Sequence, residues 1–281
     1  MSKISQMDLS NIKFVAVDMD GTLLNANHEL SDEFYPLFDQ MKAKGILFAV
    51  ASGRQYYNLL NRFKPISDDV IFIGDNGSYV AYRNEEILVQ AMEPAVVKEL
   101  LTAAANIPSC YPILCGKNRA YVQHTLPRFI ENVEMYYDKY VLVEDLLKVN
   151  DDEFLKISLC DFGGSERNSY PVFRPQQERL QVKISGTIWL DLSHQLANKG
   201  RAVEMIQKRF DITADETMAF GDYLNDLEML QQASYSFAMA NAHPDIRRAA
   251  RFQALSNEEN GVLRVIEQML ATMDRQKVVM P

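Results

Sequence analysis

The sequence has few cysteines, and their spacing excludes the usual cysteine-based sites. Cys110, Cys115 and Cys160 form no C-x-x-C pair and have no histidine partner at zinc spacing. Three is also an odd number for a framework of disulfides. We therefore expect three reduced thiols that fill space in the interior.

Long hydrophobic runs are missing as well. The longest apolar stretches, such as residues 46–51, have the length of a strand and fall far short of the roughly 20 apolar residues of a membrane helix. Residues 1–13 contain no hydrophobic run and do not resemble a secretory signal. These absences predict a cytoplasmic protein with no membrane partner.

Concentrated positive charge is the third absence. The formal net charge is −9, and the basic residues are scattered along the chain instead of forming a stripe. This distribution argues against nucleic acid as the main partner, but it does not exclude a small anionic substrate. A phosphate-binding site in such an acidic protein should contain its own cations.

Hydrophobic residues are plentiful, at 47% of 281 residues, and their order is that of an α/β protein with room for two domains. Short apolar runs at residues 14–17, 46–51 and 70–73 predict strands buried on both faces of a parallel sheet. Helical patterns lie between them, one beginning at Ser31 and one over residues 55–63. We predict a Rossmann-like, doubly wound parallel sheet.

The middle of the chain has a less regular pattern. Residues 78–90 suggest a hairpin, and an irregular mixture of helices and short strands follows it. We predict an inserted α+β domain over residues 85–190 and a discontinuous core formed by residues 1–84 and 191–281. Within the second part of the core we expect helices at residues 200–210 and 222–233 and strands at residues 217–220 and 235–239.

Several predicted strands end on a residue that can do chemistry. Asp18 follows the first strand, Ser52 the second and Asp222 a later one, while Lys199 lies at the start of a predicted helix. Ligands of open α/β sheets bind beyond the carboxyl ends of the strands, so these residues should converge there if the strands are neighbours.

Clustered carboxylates repel one another and call for a cation. Mg²⁺ prefers oxygen ligands, and we expect Asp18, Asp222 and the backbone carbonyl of Asp20 to bind it. Asp226, four residues after Asp222, is either a further ligand or an acceptor that supports the ligands. Phosphoryl transfer suits this inventory, with Asp18 as nucleophile, Asp20 as acid and base, and Lys199 stabilising the phosphate charge.

Four motifs together resemble those of the haloacid dehalogenase superfamily and, within it, the Cof-type sugar-phosphate phosphatases. The first is Asp18-Met19-Asp20-Gly21-Thr22, which matches D-x-D-G-T, and the second is Ser52 at the end of a hydrophobic strand. The third is Lys199. The fourth, which matches G-D-x-x-N-D, is Gly221-Asp222-Tyr223-Leu224-Asn225-Asp226.

The resemblance implies an Mg²⁺-dependent phosphatase of small phosphorylated metabolites that works through an aspartyl-phosphate. It implies Asp18 as nucleophile, Asp20 as acid/base, and Mg²⁺ held by Asp18, Asp20 and Asp222. It also implies that the inserted domain is a cap over the site. The phosphate contacts that it implies come from the Met19 amide, Ser52, Gly53, Lys199 and Asn225.

Two features of this chain are not explained by the motifs. Residues 74–78 carry Asp75 before Asn76-Gly77, where relatives often have Glu or a small residue, and we expect no effect on the chemistry. In the inserted domain, the candidates for contact with the leaving group are Cys115, Lys117, Arg119 and Tyr121.

Two other functions remain compatible with the same motifs. A phosphosugar mutase would use the same core but let a sugar hydroxyl attack the intermediate. A sugar-phosphate sensor would bind without catalysis, although a sensor has no need for both Asp18 and Asp20. The sequence leaves open whether the protein is a monomer or a homo-oligomer.

Overall fold

A computed structural model describes residues 8–279, with side chains described up to residue 275. The first part of the chain alternates strands with helices, as predicted. Its elements are β1 (Phe14–Asp18), α1 (Phe34–Ala43), β2 (Leu47–Ala51), α2 (Tyr56–Arg62), β3 (Val70–Gly74), β4 (Tyr79–Tyr82) and β5 (Glu85–Val89). β4 and β5 pair antiparallel and form the expected hairpin.

The middle of the chain is a mixture of helices and mostly antiparallel strands. Its elements are α3 (Pro94–Ala104), β6 (Cys110–Gly116), β7 (Ala120–Val122), α4 (Pro127–Tyr136), β8 (Tyr140–Leu142), β9 (Phe154–Asp161), α5 (Tyr170–Phe173), β10 (Leu180–Gly186) and β11 (Trp189–His194). The three cysteines lie on β6 and β9 as buried free thiols, as expected.

The last part of the chain returns to alternating strands and helices. Its elements are α6 (Lys199–Phe210), β12 (Thr217–Gly221), α7 (Leu227–Gln231), β13 (Tyr235–Ala238), α8 (Pro244–Ala249), β14 (Phe252–Gln253) and α9 (Gly261–Val279). The helix predicted over residues 222–233 is wrong at its beginning. A loop and a 3-10 turn, Leu224–Asp226, precede α7, because Asp226 bonds back to the amides of Asp222 and Tyr223.

The strands of the first and last parts form one sheet in the order β14-β13-β12-β1-β2-β3-β4-β5. The six strands from β14 to β3 are parallel, and β4 and β5 are antiparallel. Every residue of β1, β3 and β12 is buried, as continuous apolar strands between two helical layers should be. The carboxyl ends of β1, β2 and β12 therefore lie side by side, which confirms the α/β prediction.

The middle part forms a second sheet in the order β10-β11-β9-β6-β7-β8. Its pairs are antiparallel except for β7 with β8. One hydrophobic cluster packs this sheet against α3 and another packs it against α4, so the second sheet has a core of its own.

Strand pairing differs from the predicted domain bounds by a few residues. β5 belongs to the larger sheet although it falls inside the predicted range 85–190, and β11 belongs wholly to the second sheet although the range 191–281 divides it. We propose bounds that follow the sheets, with residues 90–194 as the inserted domain. In the part of the chain that the structure describes, none of the helices is both long enough and apolar enough to cross a membrane.

Candidate active site

Asp18 and Lys199 form the centre of the site. Asp18 is the last residue of β1, and Lys199 is the first residue of α6 and fully buried. The Lys199 Nζ donates to Asp18 Oδ1 at 2.5 Å and to Asp226 Oδ1 at 2.6 Å. Burial alone would lower the pKa of Lys199, but the two carboxylates outweigh burial and hold its pKa above the usual lysine value. The lysine is therefore a fixed cation beside Asp18.

Three carboxylates meet at this point. Asp18, Asp222 and Asp226 each offer an oxygen, and these oxygens lie within 4.8 Å of one another. Burial, reinforced by Asp226, raises the pKa of Asp18 well above its usual range and that of Asp222 to about 6. Buried Asp18 Oδ2 has no hydrogen-bond partner among the described residues. An orphan oxygen among mutually repelling carboxylates fits a hard divalent cation.

Asp226 has protein donors on both of its oxygens. Oδ1 accepts from Lys199, and Oδ2 accepts from the amides of Asp222 and Tyr223 at 3.0 and 3.1 Å. This bonding favours the interpretation of Asp226 as a structural acceptor that shapes the loop after β12. A metal ligand at this position would have to share an oxygen with one of these donors.

Asp20 lies in a different environment from its neighbour two residues earlier. Arg54 binds both of its oxygens, from Nε at 2.9 Å and from Nη2 at 2.7 Å, and His28 Nδ1 lies 3.1 Å from Oδ1. Burial would raise the pKa of Asp20, but the hydrogen bonds and charge of Arg54 lower it overall. The side chain of Asp20 is therefore held as a carboxylate at the edge of the cavity.

Sequence reasoning missed Arg54 and His28. Arg54 follows Ser52-Gly53 directly after β2, and that position next to a predicted phosphate ligand is a signal that could have found it. His28 lies in the loop after β1 with a positive φ of 59°, and nothing in its sequence context points to the site.

Most of the phosphate-binding residues implied by the resemblance lie in one region, and the Met19 amide is the exception. Ser52 and Gly53 follow β2 and line the same cavity as Asp18. The amide of Met19, however, donates to the carbonyl of Ala51 at 3.0 Å. The pairing of β1 with β2 thus continues one residue past Asp18, and the structure places the Met19 amide within the sheet.

Asn225 lines the cavity and is held by a second asparagine. Its Nδ2 donates to Asn76 Oδ1 at 3.0 Å, and Asn76 Nδ2 donates to Asp191 Oδ2 of β11 at 3.2 Å. Asn76 lies in the segment 74–78 that the motifs left unexplained. It joins the loop after β12 to the inserted domain.

A cavity of about 690 Å³ opens beside these residues, between the two sheets. Both domains contribute to its walls. Its lining from the core includes Asp18, Asp20, His28, Ser52, Arg54 and Asp222, and its lining from the inserted domain includes Tyr136, Tyr137, Lys156, Ser165, Arg167, Thr187 and Trp189.

The four residues predicted to contact the leaving group are not among the described residues that line this cavity. The thiol of Cys115 is buried against Tyr137, Lys117 pairs with Glu86 and Glu153, and the Tyr121 hydroxyl donates to Asp152. Arg119 is exposed. The prediction failed because the loops after β9 and β10, which are remote in sequence, form this wall instead.

The fold and the site define a class of protein. A buried aspartate ends a parallel strand beside a lysine and two further carboxylates, and the acid/base candidate lines the cavity next to them. The sequence model of the haloacid dehalogenase-like hydrolases matches residues 15–266. The chain belongs to that family, and the resemblance seen in the four motifs is confirmed.

The chain is similar to several known proteins along nearly its whole length. It is 35% identical over 275 residues to an Escherichia coli K12 protein named 5-amino-6-(5-phospho-D-ribitylamino)uracil phosphatase YbjI, covering 92% of this chain and 97% of the relative. The crystal structure of SMU.1108c from Streptococcus mutans has a TM-score of 0.85 at 29% identity, with 92% of this chain and 99% of that chain covered.

A third likeness concerns the fold alone. The structure of the HAD subclass IIB sugar phosphatase BT4131 has a TM-score of 0.78 at 21% identity, with 91% of this chain and 98% of that chain covered. The predicted enzyme class is confirmed by the family match together with the related phosphatases: the chain is a phosphoric monoester hydrolase.

Proposed function

We propose that this protein is a magnesium-dependent phosphatase that hydrolyses small phosphomonoesters, sugar phosphates or related metabolites, through an aspartyl-phosphate on Asp18. The observation that carries the proposal is the placement of Asp18. Its Oδ1 accepts from Lys199, its Oδ2 has no partner among the described residues, and the cavity opens directly beside it.

In the first half of the reaction, a carboxylate oxygen of Asp18 attacks phosphorus and the bond from phosphorus to the ester oxygen breaks. The leaving alkoxide takes a proton from the carboxyl group of Asp20. Arg54 orients Asp20 but also favours its charged form. Asp20 must therefore take up a proton before it can act as the acid, and this uptake requires that the substrate displace part of the contact with Arg54. Lys199 stabilises the charge that collects on the phosphoryl oxygens.

In the second half, water attacks phosphorus and the bond to Asp18 breaks. Asp20, now a carboxylate, takes the proton of this water. The products are orthophosphate and the free Asp18 carboxylate, so the site returns to its starting state. Ser52 and Asn225 lie at the edge of the same cavity, where they can bind the phosphoryl oxygens in both halves.

The cluster of Asp18, Asp222 and Asp226 fits the proposed cofactor. Asp18 and Asp222 would hold Mg²⁺ together with the backbone carbonyl of Asp20. Asp226 would stabilise the position of Asp222 by accepting a hydrogen bond from its amide. When bound, the ion would offset the repulsion between the carboxylates and the phosphoryl group. Loss of phosphate release in EDTA and its recovery on adding Mg²⁺ would support this assignment, whereas activity unaffected by EDTA would contradict it.

The leaving group would occupy the part of the cavity that the inserted domain lines. That wall combines half-buried aromatic rings, Tyr136 and Trp189, with the hydroxyl of the exposed Thr187. Such a mixture suits a polar metabolite that carries hydroxyl groups and a flat or apolar face. The compound in the E. coli relative's name has a phosphorylated ribityl chain on a uracil ring, and we propose it as the first compound of a substrate panel.

Replacing Asp18 by Asn tests the proposal directly. We expect release of phosphate from p-nitrophenyl phosphate to fall at least about a thousandfold, because the amide cannot form the acyl phosphate. Thermal stability should be retained, since the substitution keeps the shape of the side chain. Substantial activity in the folded variant would show that another group is the nucleophile.

Phosphorus NMR on the panel distinguishes hydrolysis from phosphoryl migration. A phosphatase converts the ester to orthophosphate, whereas a mutase moves the group to another hydroxyl and releases none. Orthophosphate as the main product supports the proposal, and an isomeric ester as the main product favours the mutase.

A further inference from the structure

Lys156 is a buried cation that the proposed chemistry does not use. It lies on β9 of the inserted domain and is 2% exposed. Its Nζ donates to the backbone carbonyl of Gly53 in the core at 2.6 Å. It also lies 3.3 Å from Asp75 Oδ1 of the core and 3.8 Å from Asp191 Oδ2 of its own domain.

The contact with Gly53 falls on a particular peptide group. The carbonyl of the Gly53–Arg54 peptide accepts from Lys156, and the N–H of the same peptide donates to the Ser52 hydroxyl at 3.1 Å. A peptide group is planar, so fixing its carbonyl also fixes the direction of its N–H. Lys156 therefore fixes the direction of the N–H group that donates to the Ser52 hydroxyl.

The same peptide precedes the side chain that holds the acid/base candidate. Arg54 binds both oxygens of Asp20, and its guanidinium lies 5.3 Å from the ring centre of Tyr136 in the inserted domain. One lysine of the inserted domain thus touches the backbone between a phosphate ligand and the residue that orients Asp20.

Contacts from the inserted domain hold a short segment of the core in an unusual backbone conformation. Asp75 and Asn76 are consecutive non-glycine residues with positive φ values of 49° and 55°. This conformation costs free energy and persists where surrounding contacts enforce it. Lys156 beside Asp75 and Asp191 bound to Asn76 are such contacts, and both come from the inserted domain.

We propose that Lys156 is a positioning residue, through which docking of the inserted domain sets the geometry of the Ser52-Gly53 phosphate-binding loop. The inference rests on the proposed function, because it assumes that this loop binds the phosphoryl group. It makes phosphate affinity depend on the bond from Lys156 to the Gly53 carbonyl. It also explains why a charged lysine is kept between the domains at the cost of desolvation.

The central test variant is Lys156→Met combined with Asp75→Asn. Methionine keeps the length of the side chain, and asparagine removes the carboxylate that would otherwise be left without its cation. Calorimetric titration of the Mg²⁺-loaded protein with inorganic phosphate measures directly how tightly the Ser52-Gly53 loop binds phosphate. We expect the phosphate Kd to rise at least about tenfold in the double variant, because the loop must be ordered during binding.

Two controls separate positioning from general support of the interface. Asp75→Asn alone removes the closest ion pair of Lys156 but leaves its bond to Gly53, so phosphate affinity should stay within about twofold. Lys183→Met removes another pair between the domains, Lys183 Nζ to Glu228 Oε1 at 3.2 Å, and should also leave affinity unchanged. Unfolding temperatures establish that each variant is folded.

Either of two results would overturn the inference. One is a folded double variant whose phosphate Kd matches that of the wild type. The other is Asp75→Asn losing as much affinity as the double variant, since the ion pair alone would then carry the effect. A wild-type protein that binds phosphate but hydrolyses no ester would refute the proposed function and leave this test valid. A wild type that binds no phosphate would refute both.

Discussion

Asp18 and Asp20 are two residues apart, yet their surroundings pull their pKa values in opposite directions. Burial and Asp226 raise the pKa of Asp18, whereas Arg54 outweighs burial and lowers that of Asp20. A chain that turns sharply after a buried strand can place neighbouring side chains in such different settings. In this arrangement Asp18 would be stabilised by a cation in addition to Lys199, and Arg54 orients Asp20.

Asp222 yields a prediction about pH. Its pKa is raised from 3.8 to about 6, mainly by burial and then by Asp226. Between these pH values the folded state binds more protons than the unfolded state, so without metal the free energy of unfolding falls as pH rises through this window. Mg²⁺ competes with those protons, and we expect it to raise the unfolding temperature more at pH 7.5 than at pH 5.

Differential scanning fluorimetry with Mg²⁺ or EDTA at both pH values measures this effect. Asp222→Asn is the control, since it removes a proposed ligand and should abolish most of the Mg²⁺-dependent shift at either pH. Equal shifts at pH 5 and pH 7.5 would contradict the link between the metal and these carboxylates.

At the scale of elements, a close contact between two helices fixes Lys199. A Cβ on Gly200 of α6 would lie 2.4 Å from the carbonyl oxygen of Glu228 in α7. The glycine therefore lets α6 approach α7, the helix that follows the fourth motif, and it brings the lysine beside it toward Asp18. Gly200 is therefore a packing residue that positions Lys199, the lysine of the third motif.

Gly200→Ala should lower both stability and turnover. We expect the free energy of unfolding to fall by about 1–3 kcal/mol, because the methyl group overpacks this contact. Turnover should fall as well, because α6 must shift and Lys199 lies next to the substitution. Urea unfolding and phosphate-release rates measure the two effects.

Gly45→Ala is the matched control. Gly45 has a φ of +73° and open space around the position of a Cβ, so alanine there would cost about 1 kcal/mol through backbone strain alone. It lies between α1 and β2, away from the cavity, and turnover should be unchanged. An active Gly200→Ala variant of normal stability would refute the packing argument.

At the scale of the whole molecule, the inserted domain docks on the core at several separate points. Asp138, after α4, accepts from Asn58 at 2.5 Å and from Asn61 at 2.8 Å, both on α2. Lys183 and Glu228 form a pair on another side. These contacts hold the wall of the cavity that faces the leaving group.

Asp138→Ala should affect selection of the leaving group more than the chemistry. We expect KM for metabolite substrates to rise by about three- to tenfold, because a looser wall orders the leaving group less well. For p-nitrophenyl phosphate the change should be smaller. Asp145→Ala, which removes a bond to Leu147 inside the inserted domain, is the control and should leave both KM values unchanged. Equal loss for both substrates would contradict the assignment.

Much of this architecture could be predicted from local patterns. Continuous apolar runs identified β1, β2, β3 and β12, because strands buried on both faces leave that signal. β10 and β11 were not predicted. β10 is only partly buried, and the buried polar residues Asp191 and Ser193 of β11 interrupt the continuous apolar run that marks the core strands. The helix predicted to begin at Asp222 was wrong because the side-chain bonds of Asp226 reshape the loop, and no propensity scale includes such bonds.

Sequence alone was sufficient to predict the family, the strand ends next to Asp18, Ser52 and Asp222, and an inserted domain in the middle of the chain. These follow from motif order and from hydrophobic period, which are local properties. The folded structure was needed to show that Arg54 holds Asp20, that Lys156 reaches Gly53, and that the predicted leaving-group residues lie elsewhere. Such contacts join residues far apart in the chain, and their distances depend on how two domains pack, which no local pattern records.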